Sequence, residues 1–314
     1  MLDGVTLYFQ RQYCEGFFCE LSRIERRDSN TFTGSLGPLK VFHSPGGISV
    51  TGSLAKFLHG ENITMLDPAA VGTAVNILGQ ETGLDMRHGQ VCKIEAGKNL
   101  FTERPPADYL RLFGYPGRYM RTEYTKAGEV GTVHYYTPKG DYQFILYDKG
   151  MEAADRIPRQ YRGLNILRAE YRVMHSKGIR RKLGQNLSAY DLGHEDVIEE
   201  LERQFFEFYY GIPKMGKEFV MADGKITPNR FEKMLAEWFR QNRPKEYREI
   251  LQSFRMAGNI DKQTMKRIRA KERQGDKGFK WQSTGPLIKE LDALLEAGRM
   301  GQDKNYPLRL VKTA

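Results

Sequence analysis

Leu2 to Phe9, Leu39 to His43 and Gly47 to Gly52 are short runs rich in apolar, strand-forming residues and bounded by Gly or Pro, which predicts short strands. Asp67-Pro68 places an N-cap before a proline at the first helical position and opens a helix to about Gln80. Gln90 to Leu100 reads as a strand and Pro105 to Phe113 as a short helix. Val130 to Thr137 and Tyr142 to Asp148 flank Pro138-Lys139-Gly140-Asp141, a hairpin signal, and Leu164 to Met174 is a further strand. After Lys177 the periodicity becomes helical, over Glu195 to Tyr210, Asn229 to Gln241, Lys245 to Met256, Asp261 to Gln274 and Gly285 to Ala297. The expected fold class is α+β: an antiparallel β-sheet domain with flanking helices over 1–185, then a mostly helical module over 186–314.

Strand parity places ionisable groups together. Lys93 and Glu95 share one side of their strand, and Tyr147 and Lys149 share a side of the next. Arg168, Glu170 and Arg172 oppose Leu167, Ala169, Tyr171 and Val173. With Lys139-Gly140 as the turn, His134 faces Ile145 and Thr132 faces Tyr147, so His134 and Tyr147 are diagonal neighbours. A plain solvent-exposed sheet face gives the same alternation. If the groups converge, Glu95, Glu170 and His134 are hard-metal ligands suited to Mg²⁺ or Mn²⁺. A tyrosine beside such a metal is a usable nucleophile toward a phosphodiester, and Arg168, Arg172, Lys93 and Lys149 would hold the anionic backbone.

Charge turns this toward a polyanion. The 314 residues carry 49 Lys and Arg against 39 Asp and Glu, a net charge of +10. Arg156 to Lys182 holds nine basic residues and one acid, Glu170, and Lys262 to Lys280 holds eight against Glu272 and Asp276. Solvated helix faces explain one such run; two in a positive chain favour nucleic acid. In the second run Lys266, Arg267, Arg269 and Lys271 flank Met265 and Ile268, which suits a helix lying along phosphates with its apolar stripe inward. Phe205, Phe206, Phe208, Tyr209 and Tyr210 read as core more than as base-stacking platforms. Three cysteines without a His–Cys cluster argue against a disulfide framework or a zinc site. No apolar run reaches the roughly 18 residues of a membrane span, no secretion signal opens the chain, and no phosphate-binding P-loop occurs. A basic cytoplasmic protein is expected.

Several segments resemble the gene II/X-type replication initiators of filamentous phages and related phage or plasmid proteins. Gly52-Ser53-Leu54-Ala55-Lys56-Phe57-Leu58-His59-Gly60-Glu61-Asn62 is similar to that family's S-x-x-K-x-L-x-G-x-N segment, and Lys93-Ile94-Glu95-Ala96 to its R-I-D-A. Thr132-Val133 through Tyr147-Asp148-Lys149 resembles its strand–turn–strand ending in Y-x-K. Arg168-Ala169-Glu170-Tyr171-Arg172 resembles its R-x-E-x-R, and Leu183-Gly184-Gln185-Asn186-Leu187 its F-G-x-x-L-N-L. The resemblance implies a nicking–joining endonuclease domain over 1–185; it fades after residue 190, and composition alone makes the helical module over 186–314 a DNA-binding accessory. The resemblance implies a rolling-circle initiator that nicks one strand at a double-strand origin through Tyr147, stays covalently attached, and later rejoins the displaced strand. Supercoiled and single-stranded phage or plasmid DNA, a host helicase and a single-strand-binding protein are the implied partners, in a bacterial cytoplasm. Two departures are visible. Lys93 and Glu95 replace Arg and Asp, and the six histidines never fall two apart, so a metal site must be built mainly from carboxylates. A non-catalytic DNA-binding replication regulator and a mobilisation relaxase of the same chemistry are the alternatives, and Tyr135, Tyr136 or Tyr142 is open as a second tyrosine.

Overall fold

In a computed structural model, the described residues are 1–116, 119–126, 128–153, 156–214, 244–274 and 285–299, with isolated positions from 232 to 240. The strands are β1 (Leu2–Gln10), β2 (Ser22–Arg26), β3 (Phe32–Leu36), β4 (Leu39–Ser44), β5 (Gly47–Ser53), β6 (Gln90–Phe101), β7 (Met120–Lys126), β8 (Glu129–Tyr136), β9 (Tyr142–Asp148) and β10 (Ile166–Val173). They form one ten-stranded sheet in the order β2-β3-β4-β5-β1-β6-β10-β9-β8-β7. Each neighbouring pair is antiparallel. The helices are α1 (Leu54–His59), α2 (Pro68–Thr82), α3 (Pro106–Leu110), α4 (Lys149–Ala153), α5 (Ser176–Leu183), α6 (Glu195–Gly211), α7 (Pro244–Met256), α8 (Lys262–Gln274) and α9 (Pro286–Ala297). The fold class is α+β, as the alternation predicts. The helix expected over 229–241 lies for the most part outside the described residues.

Local chemistry explains the main elements. Asp67 accepts from the Ala70 amide at 2.8 Å and Pro68 takes the first turn, so α2 starts where the sequence places it; Gly83, at φ 69°, ends it. The β8–β9 hairpin closes on Thr137 and Tyr142, with Gly140 at φ 74° in the loop. That loop is two residues longer than the expected turn, but extension at both ends preserves the register, and Thr132 pairs with Tyr147 and His134 with Ile145.

The apolar face of the sheet carries the main core. Leu7, Val41, Val50, Ile94, Phe144, Leu146, Leu167, Ala169 and Tyr171 are buried there. Helices α2, α6 and α9 add Val71, Leu78, Leu201, Phe205, Ile288 and Leu291 to the same cluster, so two helices beyond residue 185 lie on the core of the sheet. Phe208 stacks on Phe144 at 4.9 Å and Phe205 sits 5.2 Å from it. Phe205, Phe206, Phe208 and Tyr209 are therefore core, whereas Tyr210 is exposed. A second cluster of Ile63, Phe101, Ala153, Ile157, Tyr161 and Ile166 caps one end of the opposite, polar face.

Candidate active site

The polar face is built by β6, β10 and β9. In register, Arg168 pairs with Tyr147 and Asn99, Glu170 with Ile145 and Gly97, and Arg172 with Gln143 and Glu95. Glu95, His134, Tyr147 and Glu170 thus share one face of one sheet.

Three of these four are linked. The Tyr147 hydroxyl donates to Glu170 Oε1 at 2.8 Å. Glu170 accepts from Arg168 Nε at 2.5 Å and from Arg172 Nε at 3.1 Å, and Arg172 Nη2 also donates to it. Arg172 Nε lies 3.4 Å from Glu95 Oε1, which Lys93 Nζ meets at 2.5 Å. His134 stands apart. Ile145, nearly buried, lies between it and Glu170, and two strand spacings are about 10 Å. Its Nε2 is buried with no hydrogen-bond partner among the described residues, as is Thr122 Oγ1 directly across on β7.

Arg168 differs from the expectation of a phosphate contact. It is fully buried, and its guanidinium is spent on Asp3, Glu170, the Asn62 carbonyl at 2.8 Å and Asn99 Oδ1 at 3.1 Å. Segment 62–63 covers it, and with the side chain fully enclosed it cannot reach a DNA phosphate. Lys149 also departs from its expected place beside Tyr147 on a strand. Asp148 Oδ1 accepts from the Met151 amide at 2.9 Å, which ends β9 and starts α4. Lys149 is turned inward, buried, bonded to Glu152 Oε2 at 2.7 Å, with its ammonium 5.8 Å from the Tyr147 ring centroid.

Sequence reasoning missed Asp3, Ser53 and Asn62 as members of this network. Ser53 Oγ and Asn62 Nδ2 both donate to Asp3, and Ser53 also caps α1. The available signals were Asp3, the one charged residue of its strand, and the Ser53 to Asn62 segment, read for its resemblance and not for its place beside the tyrosine. Two glycines make room: a Cβ on Gly4 would stand 2.2 Å from Glu95 Oε2, and one on Gly97 3.1 Å from Arg168 Nη2.

Electrostatics hold the network at rest. Burial pushes the Tyr147 hydroxyl far above the usual phenol range; Arg168 opposes this and Glu170 adds to it. Burial would raise Glu170, but Arg168 and Arg172 overcome it and bring the carboxyl down to about 2. Burial lowers His134 and Lys149. As a metal set, Glu95, Glu170 and His134 do not fit as they stand. Both Glu170 oxygens are committed to guanidinium groups, Glu95 is paired with Lys93 and Arg172, and Ile145 separates the imidazole from Glu170. No three His, Cys, Asp or Glu side chains among the described residues are grouped to hold a metal ion.

Of the other tyrosines, Tyr135 and Tyr142 face the main core and donate to the carbonyls of Gly114 and Gly178, respectively. Tyr136 shares the site face, with its ring 5.2 Å from His134. The basic run on α8 exposes Lys266, Arg267 and Arg269 and buries Met265, as its stripe predicts; the Lys271 side chain lies outside the described residues. No described helix is long and apolar enough to cross a membrane.

No protein-family model and no curated protein matches the chain. Among solved structures it matches a rolling circle replication initiator protein from Geobacillus stearothermophilus at 12% identity, over 72% of this chain and 89% of that one, with a TM-score of 0.38.

Proposed function

We propose that this chain is a site-specific DNA nicking–joining enzyme that starts rolling-circle replication, with Tyr147 as its nucleophile. The observation that carries the reading is the hydrogen bond from Tyr147 to Glu170, on a sheet face where Arg172 and Lys93 remain partly accessible. A strand phosphate entering from the open side meets Arg172 and Lys93 first. Arg172 is the more accessible of the two cations on Glu170, so its transfer to the phosphate removes one cation from the carboxylate and raises its basicity. The phenolic proton then passes to Glu170 Oε1 as the Tyr147 oxygen bonds to phosphorus. The phosphorus–oxygen bond to the adjoining sugar breaks, that oxygen takes a proton from water, and the hydroxide left takes the proton from Glu170, which returns to its carboxylate. Joining is the reverse, and the phosphotyrosine bond conserves the energy it needs. Arg168, wholly enclosed, is a positioning residue that holds Glu170 against Asp3. No step is assigned to a metal ion, because the carboxylates are committed to cations. The basic face of α8 would bind flanking duplex. The partners under this reading are origin DNA, a host helicase and a single-strand-binding protein, in a bacterial cytoplasm.

The same cation-saturated carboxylates favour a second reading, a DNA-binding regulator without chemistry. Incubation with the cognate supercoiled replicon and Mg²⁺, followed by denaturing gels for protein-linked strands, decides between them. A tyrosine-linked strand supports the enzyme; binding without any adduct supports the regulator.

A further inference from the structure

The polar face does not stop at the tyrosine. It continues from β6 onto β1, β5, β4 and β3, where Thr6 pairs with Lys93 and Thr51, Thr51 with Lys40, and Tyr8 and Phe42 both with Ser49. The opposite side of these strands is core, with Leu7, Leu39, Val41, Ile48 and Val50 buried. On the open side Thr51 and Lys40 are exposed and Tyr8 and Phe42 half-buried. The residues that β1, β5, β4 and β3 present here in register with Lys93 and Tyr8 include no carboxylate.

Phe42 is the unusual member. It packs against neither hydrophobic cluster, and its ring has the exposed Arg27 guanidinium 6.0 Å from its centroid. Lys40, two residues away on the same face, has no ion-pair partner among the described residues. From β9 to β4 the face crosses five strand spacings, about 24 Å. Beyond Glu170 and Glu95, which are held by Arg168, Arg172 and Lys93, the part over β1, β5 and β4 is a strip of hydroxyls and cations with an aromatic platform at its far end.

We propose that this strip is a track for single-stranded DNA, running from Tyr147 past Lys93 and Thr51 to a stacking platform made by Phe42 and Arg27. A single strand supplies both matching parts: phosphates for Lys93, Lys40 and Arg27, and an unstacked base for Phe42. Duplex DNA fits less well, because the face of a sheet presents no helix or ribbon to enter a groove. A protein partner would need a larger apolar centre than one phenylalanine. The direction of the track rests on Tyr147 being the nucleophile; the binding itself does not.

The test is fluorescence anisotropy of the full chain with a labelled oligothymidylate in EDTA, so that binding is read without cleavage. Phe42→Ala should weaken binding about tenfold, while Phe42→Trp, which keeps a stacking face, should stay within about twofold of wild type. Lys40→Gln should weaken binding and reduce the salt slope by about 0.7. Unchanged affinity in both Phe42→Ala and Lys40→Gln overturns the track, as does a wild-type chain that ignores the oligonucleotide. Equal binding of an oligouridylate with the same variant sensitivity overturns its assignment to DNA. Nicking of supercoiled origin DNA is measured in parallel. Wild-type nicking with insensitive Phe42 and Lys40 variants refutes only the track, whereas sensitive variants without nicking refute only the enzyme.

Discussion

The hydroxyl of Tyr147 and Oε1 of Glu170 lie 2.8 Å apart although the two residues are not partners in the ladder: Tyr147 is level with Arg168, and Glu170 with Ile145. The bond therefore runs diagonally between β9 and β10, and Arg168 bends along its own strand to reach the same oxygen. One carboxylate oxygen thus serves a neutral donor and a charged one. This fixes the phenol at a defined position and holds its proton in place.

Tyr147→Phe should abolish formation of the protein-linked strand and leave origin binding near wild type. Loss of the only proposed nucleophile costs several orders of magnitude in rate, whereas losing one hydrogen bond costs about 1 kcal/mol of stability. Denaturing gels and gel-shift titrations read the two effects separately. An adduct formed by Tyr147→Phe would move the nucleophile, with Tyr136 on the same face the first candidate.

The two arginines of β10 should separate cleanly. Arg168→Ala leaves Asp3 buried without a counter-charge and Glu170 with Arg172 alone, and should destabilise the fold by about 3–5 kcal/mol, read by denaturant unfolding. Arg172 is partly exposed, so Arg172→Ala should cost less stability but raise the KM for origin DNA and slow cleavage. Equal loss of stability in both would contradict the division of roles.

Acid should report on Glu170. Its carboxyl ionises at about 2 in the folded chain against an ordinary value of 4.5. A depressed carboxylate contributes stability that is complete above the unfolded value and lost as pH falls through the folded one. The unfolding free energy should therefore fall from about pH 4.5 toward pH 2, and Glu170→Gln should flatten that part of the curve.

On α8, joint replacement of Lys266, Arg267 and Arg269 by glutamine should reduce the log–log salt slope for duplex binding by about 2–3 and leave cleavage of a short single strand intact. An unchanged slope would make the exposed basic face a solvated surface only.

Period and punctuation determined much of this protein before any tertiary contact was considered. Strand alternation put Arg168, Glu170 and Arg172 on one face, and Asp67-Pro68 placed α2. Phe205 and Phe208 sat in a helical stripe that had to be buried. These are local consequences of the side-chain period of two in a strand and 3.6 in a helix. Three strands escaped that reading. β2 is exposed along its length, β7 is largely so, and β3 combines glycine with half-buried positions, so none has a clean alternation. The site needed more than parity. Only strand order decides that β1 lies beside β6 and brings Asp3 to Arg168, and that β9 separates β8 from β10 and keeps His134 away from Glu170. Only the cap at Asp148 turns Lys149 off the strand. Parity states which side a residue faces; its neighbours on that side come from pairings between segments far apart in the chain, which no local pattern encodes.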